Sequence, residues 1–168
     1  MPNYRRFHHG PTWFFTVVTH NRRALFDDPA ARDCLSQALR DCRERFPFTV
    51  DAMVLLPDHL HAVWTLPDTD LDYSRRWSII KRRFTQTYRL AGQHKAPYWQ
   101  VRFWAHCVMG EEDYRHHVDY VHINPMKHGL VEAVEDWPWS SFHRYVCAGV
   151  YPQDWGGRVS LPEGVGRE

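Results

Sequence analysis

His59-Leu60-His61 is the sharpest chemical feature of this 168-residue chain. On a strand, residues two apart project to the same face, so both imidazoles would stand together while Leu60 enters the opposite face. Two imidazoles so placed make a bidentate metal site. In a chain with 12 histidines the same pair can equally be surface or hydrogen-bonded histidines. Tyr120 and Asn124 lie four residues apart, hence on one face of a helix. A phenol can serve as nucleophile in phosphoryl transfer, because it forms a covalent aryl phosphodiester that a second attack reverses. An Asn amide oxygen is a hard ligand that could complete a His-His-Asn set for Mg²⁺ or Mn²⁺. Taken singly, Tyr120 also reads as a core aromatic and Asn124 as a helix terminator before Pro125. Tyr114 has neither Asn nor Gln four residues on, and His116, His117, His122 and His128 do not share one helical face; solvated or supporting roles suit them better. The chain contains no C-x-x-C, G-x-x-x-x-G-K-[ST], G-x-S-x-G or H-E-x-x-H, so zinc hydrolysis, nucleoside triphosphate use and serine esterase chemistry have little support.

The elements that must position these residues follow from periodicity. Thr12 to Thr19 is β-branched and aromatic and reads as an inner strand. Asp28-Pro29 starts a helix with Ala31, Cys34, Leu35, Ala38, Cys42 and Phe46 on one stripe, stopped by Pro47. Phe48 to Leu56 and His59 to Leu66 read as antiparallel strands joined by a tight Pro57-Asp58 turn. Asp70 or Asp72 caps the next helix, whose buried stripe is Tyr73, Trp77, Ile80, Phe84 and Tyr88, with Arg75, Arg82 and Arg89 opposite and Arg76 and Arg83 beside them. A fourth strand is expected from Val101 to Met109, then an acidic-first-turn helix from Glu111 towards Asn124, ended by Pro125. The order β-α-β-β-α-β-α with a central hairpin implies an α+β fold: a ferredoxin-like antiparallel sheet with helices packed on one face. We read residues 1–157 as one domain and 158–168 as a C-terminal tail, without internal repeats.

Composition agrees with a folded domain: 43% of residues are hydrophobic and 15% aromatic. No apolar run approaches the roughly 20 residues of a membrane span, and the basic N-terminus lacks a following signal-type segment, so a cytoplasmic address is expected. Cys34, Cys42, Cys107 and Cys147 are read as reduced and mostly buried. The formal net charge is only +1, yet Arg5, Arg6, Arg22 and Arg23 occupy an acid-free first segment, and eight basic residues between Arg75 and Arg102 are likewise uninterrupted by acids. Such segregation suits a polyanionic partner. Arg5, Arg6, Arg75, Arg82, Arg83, Arg89 and Arg102 are the candidate DNA contacts, although guanidiniums on a helix are also commonly a solvated face.

In its longer motifs the chain resembles the HUH single-tyrosine transposases, and more narrowly their REP-associated tyrosine transposase branch. The resemblance rests on Leu56-Pro-Asp-His-Leu-His61, Trp99-Gln-Val-Arg-Phe-Trp104, Asp119-Tyr-Val-His-Ile-Asn-Pro-Met-Lys-His-Gly-Leu-Val131, Trp137-Pro-Trp-Ser-Ser-Phe-His-Arg-Tyr145 and Gly149-Val-Tyr-Pro-Gln-Asp-Trp155. It covers nearly the whole chain. It implies the HUH nuclease fold, His59 and His61 as the motif histidines, Tyr120 as nucleophile and Asn124 as third metal-binding side chain, with Mg or Mn as cofactor. It also implies a bacterial, nucleoid-associated enzyme that cleaves single-stranded hairpin DNA from repetitive extragenic palindromes, leaving a 5′-phosphotyrosine and a free 3′-OH, without nucleoside triphosphate or membrane, as monomer or homodimer. Val101 stands where the branch commonly has arginine and Ala105 where it commonly has an acid, both outside the catalytic set. Two rival readings remain: a non-catalytic single-stranded nucleic-acid-binding regulator on the same scaffold, and a metal-dependent phosphodiesterase using water.

Overall fold

Strands β1 (Thr12–Val18), β2 (Thr49–Leu55), β3 (His59–Thr65) and β4 (Trp104–Cys107) form one antiparallel sheet in the order β2-β3-β1-β4. The computed structural model that shows this describes residues 11–92, 95–157 and 162–165. The helices are α1 (Pro29–Arg45), α2 (Tyr73–Leu90), α3 (Gly110–Lys127) and a short α4 (Phe142–Cys147). The expected α+β class, element order and ferredoxin-like topology are present.

The helices do not all lie on one face. Phe15, Val17, Leu60, Ala62 and Trp64 turn towards α1 and α2, with Leu35, Ala38, Trp77, Ile80 and Phe84 against them. Phe14, Ala52, Val54 and Val63 turn the other way and are covered by Tyr114, Val118, Tyr120 and Val121 of α3. β1 carries apolar residues on both faces and β2 adds Ala52 and Val54 to the second, so each face of the sheet needs a cover. β3 is buried along its whole length for this reason.

Local signals set the element ends. The Asp28 carboxylate accepts from Ala30 N at 2.9 Å, with Pro29 at the first helical position. Asp72, the true cap of α2, accepts from Arg75 N at 2.8 Å, while Asp70 accepts from Asp72 N. The β2–β3 turn is closed by Leu56 N donating to His59 O.

Three expectations need correction. The fourth strand is shorter than Val101–Met109: Trp99 and Gln100 meet the end of β1, the chain then bulges outward with Val101 exposed, and pairing resumes only at Trp104. An apolar residue in a bulge is released from the period-2 constraint. Secondly, α3 runs through Pro125 to Lys127. Proline removes only its own N–H bond, and the following turn is held by His128 N to Asn124 O and Leu130 N to Pro125 O. Gly129, at φ +68°, then closes the helix. Thirdly, all four cysteines are free as expected, but only Cys42 is buried; Cys147 is exposed on α4, where its helix lies at the surface. No helix among the described residues is long and apolar enough to cross a membrane.

The segment after α3 is bound to both layers. Leu55 N donates to Trp139 O and Ser141 N to Met53 O, which extends hydrogen bonding along the β2 edge. Ile123, Val134, Phe142 and Tyr151 form a small separate core beneath it. Gly156, at φ +117°, closes that core: a Cβ there would sit 2.5 Å from Val134 Cγ2. Gly156→Ala is therefore expected to destabilise the protein by about 2–4 kcal/mol through strain and overlap. Gly157→Ala, with open space around it, should stay within about 0.5 kcal/mol, as urea unfolding midpoints would show.

Candidate active site

Alternation on β3 places His59 and His61 together on the α3 side of the sheet, their ring centroids 4.9 Å apart and the planes at 82°. Each Nδ1 is held by a second group. His59 Nδ1 lies 2.6 Å from Asp58 Oδ1, and His61 Nδ1 lies 2.9 Å from Thr16 Oγ1 on the neighbouring strand. If each Nδ1 carries the proton, each Nε2 presents its lone pair, the tautomer a metal ligand needs. Burial alone would push the Asp58 carboxyl up, but hydrogen bonding and charge attraction from His59, aided by Arg22, hold it below the usual carboxylate range.

Helix α3 brings its own pair against these rings. Tyr120 and Asn124 are one turn apart and buried, and the Tyr120 ring meets the His61 ring at 5.1 Å and 73°. Asn124 is 0% exposed, yet neither Oδ1 nor Nδ2 has a hydrogen-bond partner among the described residues. A buried amide with no partner is costly, and an oxygen in that state, one helical turn beyond the tyrosine that packs on His61, fits a hard divalent ion. The donor set therefore fits the implied metal.

The turn beyond Pro125 adds Lys127, which the sequence reading missed, and His128, for which it allowed a supporting role. Lys127 Nζ donates to the Tyr120 hydroxyl at 3.3 Å and lies 4.7 Å from the centre of its ring. The His128 ring lies 5.2 Å from that of His59. Lys127 follows Tyr120 by seven residues, two helical turns on the same face, a signal that is lost once Pro125 is taken to end the helix. Asp58 was readable as the residue preceding the motif; Thr16 was not, because only strand pairing brings it to His61.

Other candidates lie apart from this cluster. Tyr114 is buried, its hydroxyl donating to Asp51 Oδ1 at 3.4 Å. Arg75, Arg82, Arg83 and Arg89 belong to α2, on the opposite side of the sheet from His59 and His61. Arg75 stacks on Phe46 with its guanidinium 4.3 Å from the ring centre, and Arg83 pairs with Asp41 at 3.2 Å. Arg102 is exposed in the bulge before β4. Arg5 and Arg6 lie outside the described residues, as do 158–161 and 166–168 of the tail. Arg76 is buried and bonds the carbonyls of Phe46, Pro47, Asp70 and Asp72, which is a structural role.

His122, far from solvated, is completely buried between Ser141 Oγ at 2.7 Å and the Tyr151 hydroxyl at 3.1 Å. Tyr151 in turn donates to Asp119 Oδ1 at 2.8 Å. This chain of polar groups ties the C-terminal segment to the turn of α3 that carries Tyr120.

Comparison with known proteins shows the family. A family model described as "Transposase IS200 like" matches residues 12–124. The chain belongs to the IS200-like transposase family. It is 47% identical to the REP-associated tyrosine transposase of Escherichia coli K12, over 95% of this chain and 94% of that one. A Haemophilus influenzae protein carrying a provisional form of the same name is 40% identical over 96% of this chain and 97% of its own length. A solved structure of the REP-associated tyrosine transposase bound to a REP hairpin superposes with TM-score 0.82 at 44% identity, over 100% of this chain and 99% of that chain. A Deinococcus radiodurans structure at 19% identity and TM-score 0.51, over 68% of this chain and 90% of its own, shares the fold. Enzymes of this family transfer phosphoryl groups on DNA and generally use a divalent metal ion.

Two outcomes follow from burial in this site. Asn124→Leu removes an amide without partners, and is expected to raise stability without added metal by about 1–2 kcal/mol in urea unfolding. Burial pushes the His122 imidazole down to about 3, with the nearby Arg144 and His143 charges adding to it. The unfolded chain takes up that proton near pH 6.5, so the unfolded state binds one more proton between about pH 6.5 and 3. Stability should therefore fall as pH falls through that window, by up to about 1.4 kcal/mol per unit. His122→Gln should lose about one proton's worth of that slope in unfolding midpoints measured against pH.

Proposed function

We propose that the protein is a single-strand DNA endonuclease and strand transferase that cleaves and rejoins REP-type hairpin DNA through a 5′-phosphotyrosine on Tyr120. The observation that supports this most directly is the packing of Tyr120 on His61 and under Lys127, with the buried, partnerless Asn124 amide one turn further along α3. The curated relatives and the hairpin-bound structural neighbour supply the substrate class.

In this reading the Tyr120 oxygen attacks the scissile phosphorus in line. The bond to phosphorus forms at the phenol oxygen as the bond to the deoxyribose 3′-oxygen breaks. The phenol proton passes to water, and the 3′-oxygen departs as a hydroxyl by taking up a proton from water. The Lys127 ammonium favours the phenolate by charge attraction. Lys127 also covers the Tyr120 ring, so an arriving phosphate exchanges that cation–π contact for a charge pair. His59, His61 and Asn124 would hold Mg²⁺ or Mn²⁺, whose charge would offset that developing on the phosphate oxygens. Asp58 and Thr16 hold the two imidazoles in orientation. Rejoining reverses the same bonds, so no nucleoside triphosphate is required.

The further assignments rest on this reading. Residues 1–157 form the catalytic domain and 158–168 a tail; the enzyme works in the cytoplasm at the nucleoid, as monomer or homodimer. Arg5, Arg6, Arg75, Arg82, Arg83, Arg89 and Arg102 contact the DNA backbone. Because the α2 arginines lie across the sheet from Tyr120, they would grip DNA remote from the scissile phosphate.

The test is a covalent protein–oligonucleotide band formed with single-stranded hairpin DNA and Mn²⁺. Tyr120→Phe should abolish the band and Tyr114→Phe should keep it. Lys127→Gln should slow its formation by roughly 100-fold, the scale of losing one electrostatic stabiliser. Adduct mapped to Tyr114, or nicking by Tyr120→Phe, would overturn the assignment. Nicking without any covalent band would favour the hydrolytic rival, and hairpin binding without nicking the regulator.

A further inference from the structure

A second cluster of ligand-type side chains lies on the same face of the sheet, beside the active site. His106 projects from β4, and Asp113 and His117 project from the first two turns of α3, four residues apart on one helical face. His106 Nε2 is 2.9 Å from Asp113 Oδ2, His117 Nδ1 is 2.9 Å from Asp113 Oδ1, and the two imidazoles stack with centroids 4.7 Å apart at 20°. One ligand atom from each residue can be chosen so that all lie within 4.8 Å of one another.

We infer that His106, Asp113 and His117 form a second, structural site for a divalent transition metal of the zinc type. Two imidazoles and one carboxylate are the donor set that Zn²⁺ and Co²⁺ take up with a water in the fourth position. Ligands two bonds apart across such an ion are separated by roughly 3–3.5 Å, as bond lengths near 2.0–2.1 Å imply. The two histidine–Asp113 separations of 2.9 Å need only a small expansion to reach that range. His117 is nearly buried, while His106 and Asp113 are partly exposed, so the cluster has a rigid inner wall and a solvent side through which an ion can enter. The Asp113 carboxylate already has a local duty, accepting from Met109 N at 2.7 Å, and one oxygen remains to serve the ion.

The ring of Phe14 separates this cluster from the catalytic imidazoles, 4.8 Å from His117 and 5.6 Å from His61. The two sites therefore share no ligand. An ion bound here would pin the edge strand β4 to the start of the helix that carries Tyr120.

The experiment is a Co²⁺ titration of the full chain, followed by the visible absorption of the bound ion and by thermal unfolding. A His59→Ala/His61→Ala variant is expected to keep one equivalent of Co²⁺ and its upward shift in unfolding midpoint. His106→Ala, at a partly exposed position, should fold normally, and in that background should weaken the remaining site at least tenfold and remove the shift; His117→Gln should do the same. Two equivalents in the unmodified chain would mean that both sites bind. A single equivalent lost with His106→Ala but kept in His59→Ala/His61→Ala would sink the catalytic metal assignment and leave this one standing. A stoichiometry and affinity unaffected by both His106→Ala and His117→Gln, or complete loss of binding in His59→Ala/His61→Ala, would overturn the proposal.

Discussion

β3 must bury both of its faces, and every other feature of the site depends on how it does so. Leu60, Ala62 and Trp64 go into the apolar layer under α1 and α2. The alternation of a strand then forces His59, His61, Val63 and Thr65 onto the opposite face. Two imidazoles cannot be buried there without polar partners for their ring nitrogens. Asp58 at the strand entry and Thr16 on β1 meet that demand at each Nδ1, and in doing so they orient the rings. α3 completes the enclosure with Tyr120 and Asn124.

α3 is thus both a packing element and the carrier of reactive groups, and the two duties conflict. Val118 and Val121 anchor it to β2 and β3, while the same helix buries an amide with no hydrogen-bond partner. Burying such a group costs free energy in the isolated fold, and sites that bind ligands often retain that cost. Continuation past Pro125 adds little to the hydrophobic core but carries Lys127 over the phenol. A helix stopped at Pro125 would leave the Tyr120 oxygen without this neighbouring cation.

The C-terminal segment belongs to the same mechanical unit. Its backbone pairs with the β2 edge, and its side chains reach α3 through Ser141, His122, Tyr151 and Asp119. Because His122 is buried and neutral, this chain of hydrogen bonds joins the sheet edge to the residue before Tyr120 without a buried charge. The helix is held from two sides, which suits a nucleophile that must meet phosphorus along a narrow line of approach.

Much of this was written locally. The sequence by itself determined the order of elements, the cap at Asp28, the choice of Asp70 or Asp72 for the next helix, the pairing of His59 with His61 on one strand face, and the pairing of Tyr120 with Asn124 on one helix face. Each follows from side-chain periodicity or from a hydrogen bond spanning a few residues. Motif resemblance added the reason to connect the two pairs. Tertiary structure alone decided that α3 covers the face opposite α1 and α2, that Thr16 holds His61, that Pro125 is accommodated inside the helix, and that the arginines of α2 stand across the sheet from Tyr120. Periodicity states which residues share a face but not which body covers that face. That choice is made by the whole chain at once, when two apolar sheet surfaces must both be removed from water.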